Sequence, residues 1–351
     1  MNSPMLEIAC PTTPFVDNER VSLAHGDGGR LTRTFIREHV LPAFRNDLLA
    51  PMGDSASLPK LDGPTAFTAD SFVVSPLFFP GGDIGKLAVY GTVNDLAVAG
   101  ARPRWMSVSL IIEEGFPIES LQRVLKSIAA ASRLIGVTVA AGDTKVVPRG
   151  AADGLFISAA GIGELISPVP PGPASLEPGD ELIVSGPVGR HGIAILAARE
   201  NLGFVPPPES DCAPLHAAVE ALRRAGIPLR CLRDATRGGV TTVLHEWAGA
   251  CGKTLGIDEA SIPVTADVRG ACELLGLDPL NMANEGTMIL AVPPGWSSKA
   301  IQALQSVAET RNAARIGEVR NRAIIPVTIR RSLGVEQPLD EPTGSPLPRI
   351  C

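Results

Sequence analysis

Apolar and polar positions alternate along the chain in two periods, one helical and one extended. Leu121, Val124, Leu125, Ile128 and Ile135 recur at helical spacing and predict a helix that buries one face. Ahead of it the pattern predicts a strand over 71–79, a helix over 85–99 and a strand over 107–112; behind it come strands over 137–141 and 155–163. The stretch SPVPPGPASLEPG over 167–179 is too rich in Pro and Gly to continue either element, so it reads as a domain linker. Beyond it the pattern predicts a strand over 182–185, helices over 192–200, 214–225 and 239–250, a strand over 287–292, a helix over 297–310 and a strand over 324–329. The expected fold class is α/β of the α+β type. It has an N-terminal unit over 21–166, a C-terminal unit over 180–330 and a short extension over 1–20.

Residues 331–351 end in SLGVEQPLDEPTGSPLPRIC, with four prolines and little apolar periodicity, and are expected to form a flexible arm. Fully extended, such an arm spans at most about 70 Å, and roughly 25 Å as a coil. It closes on Cys351, whose thiolate is a nucleophile, so the arm has the form of a tethered reaction handle.

With 351 residues, 45% hydrophobic, 19% charged and a net charge of −6, the chain is expected to be globular. That charge gives no electrostatic reason to expect nucleic acid or an anionic membrane as partner, and 4% aromatic content argues against base-stacking platforms. Cys10, Cys212, Cys231, Cys251, Cys272 and Cys351 form no Cys-x-x-Cys pair, which fits reduced thiols in the cytoplasm better than a disulfide framework or a thiolate zinc site. The first twenty residues carry Glu7, Asp17 and Glu19 and lack a basic start followed by an apolar run, so no signal peptide is expected. Apolar runs such as 106–112 fall far short of the ~20 residues of a membrane helix.

Several segments carry candidate chemistry. The loop His25-Gly26-Asp27-Gly28-Gly29 offers free backbone amides to phosphate oxygens, yet is neither a P-loop nor a dinucleotide fingerprint, and a simple turn is the plainer reading. Asp70, Asp83, Asp95 and Asp234 each stand beside a turn or an apolar run. Singly each suits a helix cap, and together they suit Mg²⁺, which prefers a few carboxylates plus substrate phosphates. Lys145, leaving a strand through Gly142-Asp143-Thr144, is a surface charge, a phosphate contact or a base. Glu285 in Asn284-Glu285-Gly286 is a turn residue or an acid–base carboxylate, and His191 reads as structural.

Taken jointly, LAHGDGG, TADSFVVSPLFFPGGDIGKLAVYGTVNDLAVAGA, GDTKVV, VSGPVGRHG, DATRGGV, ANEG and the terminal PRIC resemble the HypE family of hydrogenase maturation factors. That family belongs to the ATP-binding superfamily of aminoimidazole ribonucleotide synthetase and selenophosphate synthetase. The likeness runs from about Val21 to Cys351. It implies a two-domain fold, a homodimer paired through the N-terminal halves, and ATP between the domains. It also implies a reaction: the carbamoyltransferase HypF loads the terminal cysteine, ATP activates the carboxamide oxygen, loss of phosphate leaves a thiocyanate, and the cyanide passes to iron on the HypC–HypD complex.

Carried over residue by residue, the resemblance makes Cys351 the carrier and Lys145 and Glu285 the proton-moving groups. It assigns His25, Gly26, Gly28, Gly29, Asp70, Lys86, Asn94, Gly142, Asp143, Thr144 and Arg237 to ATP, and Asp70, Asp83, Asp95 and Asp234 to Mg²⁺. Asp27 departs from the small residues common in the glycine loop, and Asp83 stands where some relatives carry Asn, which makes it the weaker ligand. Another enzyme of the superfamily would share the acidic and glycine motifs. A selenophosphate synthetase, however, keeps its reactive Cys near the glycine loop, where only the upstream Cys10 is on offer, and an enzyme of purine-precursor amides gives Cys351 no role. A third alternative is a non-catalytic scaffold that docks through its C-terminal carboxylate.

Overall fold

The computed structural model describes residues 19–331, 334–344 and 350, so Cys351 and Cys10 lie outside the described residues. In the N-terminal half the order is α1 (Arg30–Phe35), β1 (Thr65–Phe72), β2 (Phe78–Phe79), β3 (Gly82–Asp83), α2 (Ile84–Val98), β4 (Ala101–Glu113), α3 (Ile118–Ile135), β5 (Thr138–Val147) and β6 (Leu155–Leu165). Four of these strands form a sheet in the order β1-β6-β4-β5, antiparallel except for the parallel pair β4–β5. Helices α2 and α3 cover one face, and Leu87, Val93, Leu121, Val124 and Ile128 fill the layer between. On the opposite face Phe67 is 69% exposed and Ile111 37%, with Trp105, Phe156 and Ile162 only half-buried. A sheet with one apolar face open is an unpaired surface.

The C-terminal half runs β7 (Glu181–Val184), α4 (Arg190–Arg199), α5 (His216–Arg224), β8 (Cys231–Asp234), α6 (Gly239–Cys251), β9 (Thr254–Asp258), α7 (Ala266–Leu275), β10 (Met288–Val292), α8 (Ser297–Gln305), β11 (Ala314–Arg320), β12 (Val327–Arg330) and β13 (Glu336–Pro338). Its seven-stranded sheet has the order β13-β12-β9-β11-β7-β10-β8. Helices lie on both faces: α6 packs on Val184, Ile289 and Ala291, while α5 and α8 pack on Ile183, Leu290 and Val292. Being buried on both sides explains why β10 is an unbroken apolar run.

Helix α2 joins the halves. It is buried on nearly all sides because the N-terminal sheet, α3, α5 and β8 all pack against it. Asp83 starts it as N-cap, accepting from the amides of Gly85 at 2.8 Å and Lys86 at 3.0 Å.

The structure departs from the sequence pattern at four places. Strand β1 begins at Thr65 rather than at 71, and the chain leaves the sheet after Phe72, just ahead of a proline that cannot donate a ladder hydrogen bond. Strand β5 continues through Gly142–Val147, because Gly142 there serves a close approach and not a turn: a Cβ would stand 2.6 Å from the Val108 carbonyl oxygen. Elements α1, β3, β8, β9, α7 and β11 are additional to the pattern. The expected flexible arm is in part a sheet edge, with β13 paired to β12, Glu336 accepting from Arg320 at 2.6 Å, and the Leu339 carbonyl bonded to His245 at 2.8 Å.

Candidate active site

A cleft of about 450 Å³ opens between the halves, bounded by β1, the C-terminal part of α2 and the turn after β8. Asp70 reaches it from β1, Asp95 from α2 and Asp234 from the end of β8, with Thr236, Arg237 and Glu285 completing the wall. Thr68 donates to Asp95 at 2.7 Å and fixes that carboxylate. Burial together with the nearby Asp95 pushes Asp70 up to about 6 and Asp234 up to about 7. The guanidiniums of Arg237 and Arg233 act in the opposite sense on Asp70. A cleft that crowds carboxylates and rims them with arginines suits a polyanion bound with a cation.

Glycines shape the walls. The DATRGG turn needs Gly239 at φ +63°, where a Cβ would stand 2.3 Å from the Leu280 carbonyl oxygen. In ANEG, Gly286 passes so near the Asp211 carbonyl that a Cβ would lie 1.9 Å from it. Asn284 braces that turn by accepting from the Gly189 amide and donating to the Ala235 carbonyl, each at 2.7 Å. The Asp211 carboxylate accepts from the amides of Glu285 at 3.0 Å and Gly286 at 3.1 Å, and from the Thr287 hydroxyl at 2.9 Å. Glu285 is thereby held at the cleft wall with only 4% of its surface exposed.

The expected site residues fall into three groups. Asp70, Asp95, Asp234, Arg237 and Glu285 meet in the cleft. Asp83 and Lys86 stand at the other end of α2: twelve residues separate Asp83 from Asp95, about 18 Å of helix. One ion cannot join them within a chain, and both Asp83 oxygens are engaged, one with the helix amides and one with Ser127 at 2.7 Å. Asp83 therefore caps the helix here and stands apart from the carboxylates of the cleft. Asn94 is 1% exposed and its amide is spent on Leu215, Ala213 and Glu285 backbone atoms, so it braces the cleft from behind.

The third group lies on the far edge of the N-terminal sheet. Gly142, Asp143, Thr144 and Lys145 are on β5, three strands away from Asp70 on β1, or about 14 Å. Lys145 is exposed and pairs with Asp143 at 3.6 Å. The glycine loop packs beside it, since a Cβ on Gly26 would stand 2.7 Å from the Val146 amide nitrogen, while Gly28 and Gly29 face open space. His25 is buried, stacked on Phe35 at 4.8 Å, and accepts from the Ser22 amide through Nδ1 at 3.1 Å; burial and His39 lower its pKa. It props the loop through that bond and the ring stack.

Among the described residues, no group of three or more His, Cys, Asp or Glu side chains is arranged to hold a metal by itself, and no helix is long and apolar enough to cross a membrane. Thr68, Asp211 and Thr236 are site residues that sequence reasoning did not single out. Thr68 had a signal, two residues before Asp70; Asp211, in an irregular loop, had none.

Comparison with known proteins places this geometry. Residues 53–165 match the N-terminal domain of AIR synthase related proteins and residues 177–329 the C-terminal domain. The carbamoyl dehydratase HypE of Escherichia coli strain K12 is 47% identical over 337 residues, spanning 94% of this chain and 99% of that protein. The crystal structure of a hydrogenase maturation protein HypE in complex with ATP superposes with a TM-score of 0.90 at 42% identity, over 94% of this chain and 99% of that one. A chain of a HypE–HypF complex superposes with a TM-score of 0.77 at 42% identity, over 90% of this chain and 100% of that one.

Proposed function

The chain belongs to the HypE family of AIR synthase related proteins, and from that premise we propose that it spends ATP to dehydrate a carbamoyl group carried on the thiol of Cys351. The product is a thiocyanate, whose cyanide is destined for the iron of a [NiFe] hydrogenase. The observation that carries this reading is the cleft in which Asp70, Asp95 and Asp234 face Arg237 and the braced Glu285 turn. That cleft is the place this reading gives to ATP, and a relative crystallised in complex with ATP supports nucleotide binding.

The donor set fits Mg²⁺. Three carboxylates line the cleft, and Asp70 and Asp234 are pushed toward protonation by burial and by the charge of Asp95, a strain that a hard cation relieves. Asp70, Asp95 and Asp234 would hold the ion jointly with phosphate oxygens, and it would supply neutralisation of the triphosphate's charge. Asp83 is left out of that set.

In the first step the carboxamide oxygen attacks the γ-phosphorus, the bond to the β-phosphate oxygen breaks, ADP leaves, and the amide nitrogen gives up one proton. In the second the C–O bond breaks, its electron pair leaves with phosphate, and the remaining N–H proton is taken up, giving C≡N. Glu285 is the group positioned to accept protons, its backbone held at the wall by the amide bonds to Asp211. Arg237 neutralises charge on the transferring phosphoryl group.

Lys145 and the glycine loop belong to the same site only across a dimer. The apolar face around Phe67 and Ile111 is where two copies pair. Two four-stranded sheets closed about a two-fold axis would set edge β1 of one copy beside edge β5 of the other, bringing Lys145, Gly142 and Thr144 to the opposite copy's Asp70. HypF loads the carbamoyl group, a role supported by a relative's complex with HypF, and the HypC–HypD complex receives the cyanide. The cytoplasm is the site of action, in keeping with free thiols at Cys212, Cys231, Cys251 and Cys272.

The test is stoichiometric: phosphate released per carbamoylated C-terminus in a single turnover. About one phosphate per carbamoyl group, lost in Glu285→Gln while ATP still binds, is the expected result. Phosphate release that ignores carbamoylation overturns the reading.

A further inference from the structure

The chain comes back to the body at its penultimate residue. Ile350 is 3% exposed and joins the apolar cluster that includes Ile193, Cys212, Met282 and Ala283. Its carbonyl oxygen accepts a hydrogen bond from Nε2–H of His191, a ring with no exposed surface. The other ring nitrogen, Nδ1, is bonded to the Ser210 hydroxyl at 2.8 Å, and the same hydroxyl oxygen accepts from the Cys212 amide at 3.0 Å. Nε2 must carry a proton to reach the Ile350 carbonyl, and in the neutral ring Nδ1 accepts from the Ser210 hydroxyl. Burial lowers the His191 pKa and supports that state.

The latch is held from both halves of the chain. Phe79 packs its ring against His191 at 5.5 Å, edge to face, and the Ser210 amide donates to the Pro80 carbonyl at 2.9 Å. The turn at Gly81 fits so closely that a Cβ there would stand 2.6 Å from the Ser210 carbonyl oxygen. One residue further on, Asp211 bonds the amides of the Glu285 turn. Thus Ser210, which holds the His191 ring, and Asp211, which holds the backbone of the Glu285 turn, are adjacent residues of a single loop.

We infer that His191 and Ser210 form a docking latch that grips the penultimate backbone carbonyl of the C-terminal tail and sets the register in which Cys351 is delivered to the Glu285 turn. A backbone acceptor identifies a position by counting along the chain, while burial of the apolar Ile350 side chain adds to the hold. His191 and Ser210 are positioning residues, acting through the tail. What the delivery is for rests on the dehydratase reading; the docking itself does not.

Full-length wild type, His191→Gln, His191→Ala and Ser210→Ala are compared by carboxypeptidase release of Cys351 and Ile350, by single-turnover dehydration of the carbamoylated chain, and by ATP affinity. Loss of the latch bond is expected to speed release in His191→Ala and Ser210→Ala about tenfold or more. His191→Gln, which keeps an N–H donor, is expected to fall between them and wild type. Dehydration slows in the same order, with ATP affinity held within about twofold. Equal release rates in all four proteins overturn the latch. Faster release with unchanged dehydration overturns the positioning role. A wild type whose tail resists release but forms no thiocyanate with ATP leaves the latch standing and removes the dehydratase reading. Should His191→Ala fail to fold, Ser210→Ala and His191→Gln carry the comparison.

Discussion

Asn94 and Leu215 are joined across the two halves of the chain: the Asn94 Oδ1 accepts from the Leu215 amide at 2.7 Å, while its Nδ2 donates to the Ala213 carbonyl at 3.1 Å. The Asn94 side chain is 1% exposed, so Asn94→Ala leaves the Leu215 amide and the Ala213 carbonyl without these partners. The expected loss of stability is about 2–4 kcal/mol. Urea unfolding of the ligand-free protein measures it, and a change under about 0.5 kcal/mol would show that the clasp is incidental.

The acidic cleft makes ligand-free stability fall as pH rises. Asp70 at about 6 and Asp234 at about 7 both lie above the ordinary 3.8. As pH climbs, the unfolded chain therefore loses these protons before the folded one does, and stability declines from near pH 4 to near pH 7 and then levels. For the buried Asp234 the loss is on the order of a few kcal/mol. Asp234→Asn should flatten the melting temperature between pH 5 and pH 8; an unchanged slope would place the strain elsewhere.

Two glycines of the sequence motifs are predicted to separate folding from binding. Gly142→Ala drives a methyl group to 2.6 Å from the Val108 carbonyl oxygen and should cost about 1–3 kcal/mol of stability. Gly29→Ala meets nothing within 4 Å at an ordinary backbone angle, φ −83°, and should leave stability within about 0.5 kcal/mol. A drop in ATP affinity for Gly29→Ala at unchanged stability would assign the loop to the nucleotide. Unchanged affinity would leave it a turn.

The proposed pairing of sheets has a genetic test. Asp70→Asn and Lys145→Ala subunits should each be inactive alone. Mixed in equal amounts, they should recover about a quarter of wild-type activity if one copy's Lys145 serves the other copy's Asp70, because half the dimers are mixed and each holds one intact site. No recovery would mean that each chain builds its site alone.

The sequence showed the helices most clearly. Helix α3 announced itself by its apolar stripe, and α2 by an apolar run capped at Asp83. Short strands were hidden where charge or glycine interrupts the pattern: β8 is Cys-Leu-Arg-Asp and β9 contains Gly256, which has the β11 glycine, Gly317, pressed against its carbonyl oxygen. Glycine was legible as a marker of importance but not of kind, since Gly142 signals a close strand approach where a turn was read. Of the residues that line the cleft, Asp70, Asp95, Asp234 and Glu285 stood out in the sequence as acids beside a turn or an apolar run. The partition of Asp83 and Lys145 away from them was not, because it depends on which end of α2 and which sheet edge each occupies. Asp211, Ser210 and the role of His191 depend on an irregular loop meeting residues far away in sequence, which no local pattern encodes.

The central claim is that the carbamoyl group is dehydrated on this chain's own terminus, and the mass of the C-terminal peptide tests it most directly. After loading by the carbamoyltransferase HypF, the peptide ending in Cys351 should carry a carbamoyl group, and adding Mg-ATP should remove one water from that adduct. Cys351→Ala should show neither change. An adduct that ATP leaves intact, or that it hydrolyses back to the free thiol, would contradict the account.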